Sequence, residues 1–479
     1  MTETLTLKHY VAGRWISAPA VFEQPNPADP ADFLVTGPEG DKALADEAAA
    51  AARTAVAPLY DLGVEKRADI LSAIGRKLME NAGDIAVQIA RETGKTLGDA
   101  KGETMRAARL FDFFAGETIR NIGEVYASTR KGAGVEVSYD PLGVVAAITP
   151  WNFPIAIPAW KIAPALAFGN AVVWKPSEYS SATANVLMEI IAAAGLPDGA
   201  VNMILGAGKA GAAVCEADGI DAISFTGSVA TGTKVRLGAA ARGQRMQLEM
   251  GGVNGLIIMA DADFDAAVEC AVNGAFYAAG QRCTATSRII VEDAIADRFA
   301  AALLARLQAL KVGNPLDATT IVGPLVSMKQ KTSIAAQVAT VEKSGLVPVF
   351  GGTKAEMPHA FFAPTLFDHV PADNYLNKEE IFAPVAGMFR VGGFEEAMQL
   401  LNMPSYTLSA GICTTSLSHA AHFKRKAKAG VTMVNLPTAG IDYHAPFGGV
   451  GGSSYGPREQ GRAARQFYTV LRTCYQSPV

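Results

Sequence analysis

The period of the apolar positions changes along the chain, and each change marks a different kind of element. Residues 41–120 are rich in alanine, with apolar side chains such as Ile70, Ile74 and Leu78 at helical spacing, which predicts a mostly helical stretch. Residues 134–140 alternate between polar and apolar, as a strand does. Short apolar runs at 143–148 and 170–174 then take turns with helical stretches such as 181–194. Alternation of this kind predicts a parallel sheet with helices on both faces. A second series starts near Asn254, with a strand at 255–259 and a helix at 266–279, and continues to about Ile441. The chain therefore reads as two α/β halves. A β-rich run at 466–472 follows; such a strand would otherwise be an exposed edge, which is a physical reason to expect a partner subunit.

Composition narrows the picture mainly by exclusion. A length of 479 residues suits about three domains. A net charge of −4, from 42 basic and 46 acidic residues, gives no electrostatic reason to expect nucleic acid. The densest basic cluster, Lys424, Arg425, Lys426 and Lys428, reads as a solvated helix face. The cysteines Cys215, Cys270, Cys283, Cys413 and Cys474 lack metal-site or disulfide spacing, and the six histidines are spread apart, so no metal is expected and a reducing compartment fits. The N-terminus has no basic start with an apolar core, and no apolar run is long enough to span a bilayer. Cytoplasmic placement, without a membrane partner, is the expectation.

Two glycine-bearing turns compete as a phosphate cradle. Gly206, Gly208 and Gly211 spell G-x-G-x-x-G between a strand-like run, 201–205, and a helical stretch. No acidic residue follows at the distance a dinucleotide fingerprint requires, and the turn containing Phe225, Thr226, Gly227 and Ser228 serves equally well on sequence grounds. The candidate chemistry lies elsewhere. Cys283 offers a thiolate nucleophile, Asn152 an amide donor for an oxyanion, and Glu249 a carboxylate able to activate water. The other four cysteines read as small buried hydrophobes.

At these residues the chain resembles the aldehyde dehydrogenase superfamily. The likeness also runs through Glu92-Thr93-Gly94-Lys95, Lys175-Pro176-Ser177-Glu178, Phe225-Thr226-Gly227-Ser228, Glu380-Ile381-Phe382-Ala383-Pro384 and Pro446-Phe447-Gly448-Gly449. It implies an α/β fold with a Rossmann-like NAD domain at 1–121 and 141–250, an α/β catalytic domain at 251–446, and a small β oligomerisation element at 122–140 and 447–479. A homodimer or homotetramer is expected. It places pyrophosphate near Gly227 and Ser228, with Gly208 beside the adenosine and Lys175 and Glu178 at its ribose. Glu178 there favours NAD, while Lys175 leaves NADP use open. Thr149, Pro150, Trp151, Ser177, Phe225 and Thr226 complete the cofactor set, with Glu380 and Phe382 at the nicotinamide end. Cys283 would form a thiohemiacetal and then a thioester. Glu249, its pKa raised by partial burial, would hydrolyse the thioester to a free acid.

The resemblance also bears on the substrate, a small-molecule aldehyde. Residues 435–444 and 453–462 look like the branch that oxidises α-ketoglutaric semialdehyde to 2-oxoglutarate. Arg282 is the candidate anchor for its carboxylate, and Trp160 and Phe447 would line the tunnel. Succinate semialdehyde and simple aliphatic or aromatic aldehydes are the alternatives, and a non-catalytic NAD-binding protein is the alternative from another class. Val253, Val450 and Arg462 depart from the family pattern. Arg462 is read as standing where relatives carry a glutamate, which leaves Glu249 as the main base.

Overall fold

Alanine in the first part of the chain is explained by what the helices lie against. In the computed structural model, which describes residues 3–120 and 123–477, Ala45, Ala48, Ala49 and Ala52 on helix Lys42–Asp61 are fully buried. Small side chains let this helix approach the sheet beneath it closely. Asp41 caps it by accepting from the Leu44 N–H at 3.0 Å. The predicted stripe of Ile70, Ile74 and Leu78 is buried on helix Gly63–Glu80, which packs on helix Leu97–Thr118. Gly75 permits that approach, since a Cβ there would lie 2.9 Å from the Ala108 carbonyl oxygen.

The two α/β series form two sheets. The first has eight strands, with five parallel ones at its centre in the order Arg245–Met250, Ala222–Gly227, Val144–Ile148, Ala171–Lys175 and Val201–Met203. The second has seven, including the parallel run Thr365–Phe367, Val385–Val391, Thr286–Glu292, Asn254–Ile258, Ser409–Cys413 and Val431–Val434. Their central strands are buried along their whole length and apolar apart from Lys175 and Asn254 at strand ends, as suits strands covered on both faces. A third sheet joins Gly123–Ala127, Gly134–Pro141 and Thr469–Gln476 in antiparallel pairing.

Some boundaries differ from the sequence reading. The helix expected over 266–279 is Phe264–Phe276, because Ala278 and Ala279 take positive φ of 54° and 52° and turn the chain toward Cys283. Of residues 447–479, Thr469–Gln476 joins the third sheet, whereas Ser454–Tyr455 extends the first sheet beside Arg245–Met250. The expected boundary between residues 121 and 122 lies outside the described residues. The arrangement places the C-terminal ends of the first sheet's strands, where open α/β sheets bind ligands, near the loops that enter the second sheet.

Candidate active site

Cys283 lies three residues before strand Thr286–Glu292, half-buried, and its loop is pinned from behind by Asn254. The Asn254 amide donates to the carbonyls of Cys283 at 2.8 Å and Ala285 at 3.0 Å, while its own oxygen accepts from Leu408 and Ser409 N–H groups. Gly280 is needed just upstream: its φ is +64°, and a Cβ there would meet the Ala383 carbonyl oxygen at 2.1 Å. Asn152 donates its side-chain amide to Gln281 at 3.1 Å, so that donor sits beside the cysteine loop. Its backbone is held by Lys95, whose ammonium donates to the Asn152 carbonyl at 2.6 Å, pairs with Glu103 and lies over the Phe153 ring. Asn254 and Lys95 were given no role in the sequence reading.

Electrostatics around the thiol are dominated by desolvation. Burial, with the carboxylates of Glu380 and Glu249, pushes Cys283 up to about 12, so the resting group is a thiol. Burial also pushes Glu249 well above the ordinary carboxylate range, with the charge of Glu459 adding to the effect. The Ser454 hydroxyl donates to Glu249 at 2.5 Å. Glu459 is paired in turn with Lys161, which donates to Ser224 at 2.8 Å. This corrects the expectation attached to Arg462: that residue is exposed and lies 3.6 Å from Glu117, while Glu459 is the second carboxylate coupled to Glu249. Val253 is fully buried, which suits an apolar side chain, and Val450 pairs with Thr407 in a short ladder.

Four helices each follow a parallel strand of the first sheet. Glu103 accepts from the Ile155 and Ala156 N–H groups at the start of Ala156–Ala167. Glu92 does the same for Ala182 and Thr183 at Ser181–Ala192, with burial pushing it up to about 7. Glu39 accepts from Ala207 at 3.1 Å and Ala210 at 2.9 Å, so two amides of the G-x-G-x-x-G loop are already taken by a carboxyl group. The fourth helix, Val229–Ala241, starts at exposed Ser228, whose hydroxyl accepts from Thr231 at 3.3 Å. Among these four, its N-terminus is the one without a carboxyl cap.

The remaining cofactor candidates fall around this end of the sheet. Phe225 packs its ring beneath Gly227 and Gly232, where a Cβ would lie 2.5 Å and 3.2 Å from it. The Thr226 hydroxyl is buried without a partner. Lys175 is buried and 3.8 Å from Glu178, and burial lowers its pKa. Ser177 caps the turn that carries Glu178, and Thr149 accepts from the Trp174 indole at 2.9 Å. Trp151, next to Pro150, meets Phe382 edge to face at 5.6 Å. Glu380 lies over Gly251, accepts weakly from Gly252, and is pushed up to about 8 by burial.

A cavity of about 280 Å³ opens on Cys283 from the other side and is walled by Trp160 and Phe447, whose ring centroids are 5.6 Å apart. Arg282 contributes to the wall, but its guanidinium donates to the carbonyls of Asn273 and Gly274 in the last turn of Phe264–Phe276. A second arginine, Arg106, also lines this cavity. No group of metal-ligating side chains occurs among the described residues.

Comparison with known proteins agrees with this geometry. Residues 15–474 match the sequence profile described as "Aldehyde dehydrogenase family". The chain is 36% identical to an α-ketoglutaric semialdehyde dehydrogenase of Bacillus subtilis, over 100% of this chain and 99% of the relative. It is 37% identical to a 2,5-dioxopentanoate dehydrogenase of Saccharolobus solfataricus, over 86% and 87%. A crystal structure of betaine aldehyde dehydrogenase from Staphylococcus aureus in complex with NAD+ superposes with a TM-score of 0.94 at 32% identity, covering 98% of this chain and 95% of that one.

Proposed function

The chain belongs to the aldehyde dehydrogenase family, and from that premise we propose that it oxidises α-ketoglutaric semialdehyde to 2-oxoglutarate with NAD, through a thioester on Cys283. The substrate is carried by the two relatives named for this aldehyde, and the chemistry by one observation. Cys283, beside the Asn152 amide and within the field of Glu249, forms the inner end of the cavity.

The cofactor reading fits the helix termini. A pyrophosphate needs free N–H groups and a positive helix end, and it is repelled by a carboxylate. The start of Val229–Ala241 meets that requirement, with Gly227 allowing close backbone approach. Glu178 would accept from ribose hydroxyls, which favours NAD over NADP; the neighbouring Lys175 keeps NADP as the second reading. Gly208, Ser177, Thr149, Pro150 and Trp151 border the same end of the sheet, and Phe382 and Glu380 face the nicotinamide end. NAD, when bound, supplies the hydride acceptor.

The residues of the chain do the rest. Burial holds Cys283 as a thiol, which gives up its proton to solvent water entering the cavity as its sulfur adds to the aldehyde carbon. Asn152 and the Cys283 N–H hold the oxyanion. After hydride loss Cys283 carries a thioester, and Glu249 in its ionised form takes a proton from water to hydrolyse it. Glu459 and Lys161 adjoin Glu249 and offer that proton an onward path.

Assembly is part of the proposal. Val125, Tyr126, Leu471 and Tyr475 are exposed on the third sheet, an apolar surface that a homodimer or homotetramer would cover. We assign residues 1–121 and 141–250 to cofactor binding and 251–446 to catalysis, with the third sheet as the subunit contact. The five described cysteines are unpaired, which suits a reducing, cytoplasmic setting.

The test is NADH formation from α-ketoglutaric semialdehyde beside succinate semialdehyde, benzaldehyde and propanal, with NAD and then NADP. A lead in kcat/KM for the keto acid with NAD is expected. Equal or better rates with the uncharged aldehydes would refute the substrate assignment.

A further inference from the structure

We propose that Arg106, positioned by Gln460, forms with the indole N–H of Trp160 the subsite that holds the far carboxylate of the substrate. The inference rests on the reading above that the aldehyde carries such a group. Arg106 projects from helix Leu97–Thr118 into the cavity that contains Cys283. One terminal nitrogen donates to the Gln460 side-chain oxygen at 3.0 Å, and the guanidinium carbon lies 5.8 Å from the centre of the Trp160 ring. Arginine, tryptophan and glutamine are thereby gathered from segments far apart in the sequence.

Their unused donors point to a ligand. The Arg106 Nε, the Trp160 Nε1 and the Gln460 Nε2 are all buried without a hydrogen-bond partner. Trp160 is 5% exposed and Gln460 fully buried, so bulk solvent does not satisfy them. A buried unsatisfied donor costs roughly 1–3 kcal/mol. Arg106 and Trp160 both line the cavity, so a ligand bound there meets these two, whereas Gln460 is not part of its wall and acts through its bond to Arg106. A carboxylate, with acceptor oxygens and a charge opposite to that of Arg106, meets the requirement, whereas an unsubstituted alkyl or aryl chain leaves every donor unpaired.

Charge accounting favours Arg106 over Arg282. In Arg282, Nη2 donates to the Asn273 and Gly274 carbonyls and Nη1 to the Asn273 side-chain oxygen at 3.5 Å, so that only its Nε, like that of Arg106, lacks a partner. Of the carboxylates whose fields reach Arg106, Glu103 is bound to Lys95 and to two backbone N–H groups, and neither it nor Asp442 forms an ion pair with Arg106 among the described residues. The guanidinium therefore keeps charge for an incoming anion. Gln460 is held in place by an unusual backbone, with φ of +60°, which fixes its carboxamide against Arg106.

The experiment compares, within each protein, kcat/KM for the keto-acid semialdehyde with that for propanal. Because both values come from the same preparation, loss of folded enzyme cancels in the ratio. In R106M the ratio falls on the order of 100-fold, mostly through KM, as expected for a lost charge-assisted contact. R106K recovers part of it, since an ammonium supplies charge without the fork geometry. An unchanged ratio in R106M, with a wild type that prefers the keto acid, overturns this subsite and leaves the substrate reading standing. A wild type without that preference overturns the substrate reading, and this inference with it.

Discussion

The two sides of Cys283 treat anions in opposite ways. On the proposed nucleotide side Glu39, Glu92 and Glu103 fill three helix N-termini, and the start of Val229–Ala241 has no such carboxyl group. On the cavity side Arg106 and Trp160 each present a nitrogen, Nε and Nε1, that finds no acceptor among the described residues. One side selects a place for negative charge by occupying the alternatives; the other selects by leaving a need unmet. Specificity can thus be written into a fold by satisfied groups as well as by unsatisfied ones.

The contrast can be broken most strongly at Arg106, where R106M is expected to erase the preference for a charged aldehyde. A smaller effect is expected at Ser228. S228D keeps a good helix cap, because aspartate and serine are about equal there and a negative charge suits a helix N-terminus. It also places a carboxylate where pyrophosphate is proposed to sit. KM for NAD should rise by about tenfold while Tm holds or rises; an unchanged KM would mean that the phosphates bind elsewhere. The smallest effect is expected from E39A, which frees the Ala207 and Ala210 amides. Chemical denaturation should show a loss of about 1 kcal/mol, typical of a lost cap, and KM for NAD should move less than in S228D. A larger shift in KM than in S228D would reverse the assignment of the two glycine turns.

How much of this was legible in the sequence depends on distance along the chain. The helical stripe of Ile70, Ile74 and Leu78 and the apolar strands are local patterns, and they became the elements they suggest. Cys283, Asn152 and Glu249 stood out because each sits in a short distinctive run. The helix end at Phe276 did not, since an alanine pair normally continues a helix and here adopts positive φ under the packing of the cysteine loop. Arg106 carries no local mark: on a helix rich in charge it reads as one more surface arginine. Its meaning arises from Gln460, 354 residues away, and Glu459 likewise acquires its setting from Lys161, 298 residues away. Such sites are made by tertiary packing, and no window of sequence contains them.

In the proposed reaction one cysteine carries the acyl group and Glu249 releases it. The direct measurement is a rapid-mixing experiment on E249Q with NAD and aldehyde, following NADH and the mass of the protein together. A burst of about one NADH per active site is expected, with an acyl adduct on the Cys283 peptide and turnover slowed by roughly 10²–10⁴-fold. In the wild type, hydrolysis should quicken as pH rises, because burial raises the Glu249 pKa and only its ionised form accepts the proton; in E249Q that dependence should vanish. Wild-type turnover in E249Q, or a burst with no adduct on Cys283, would contradict the account.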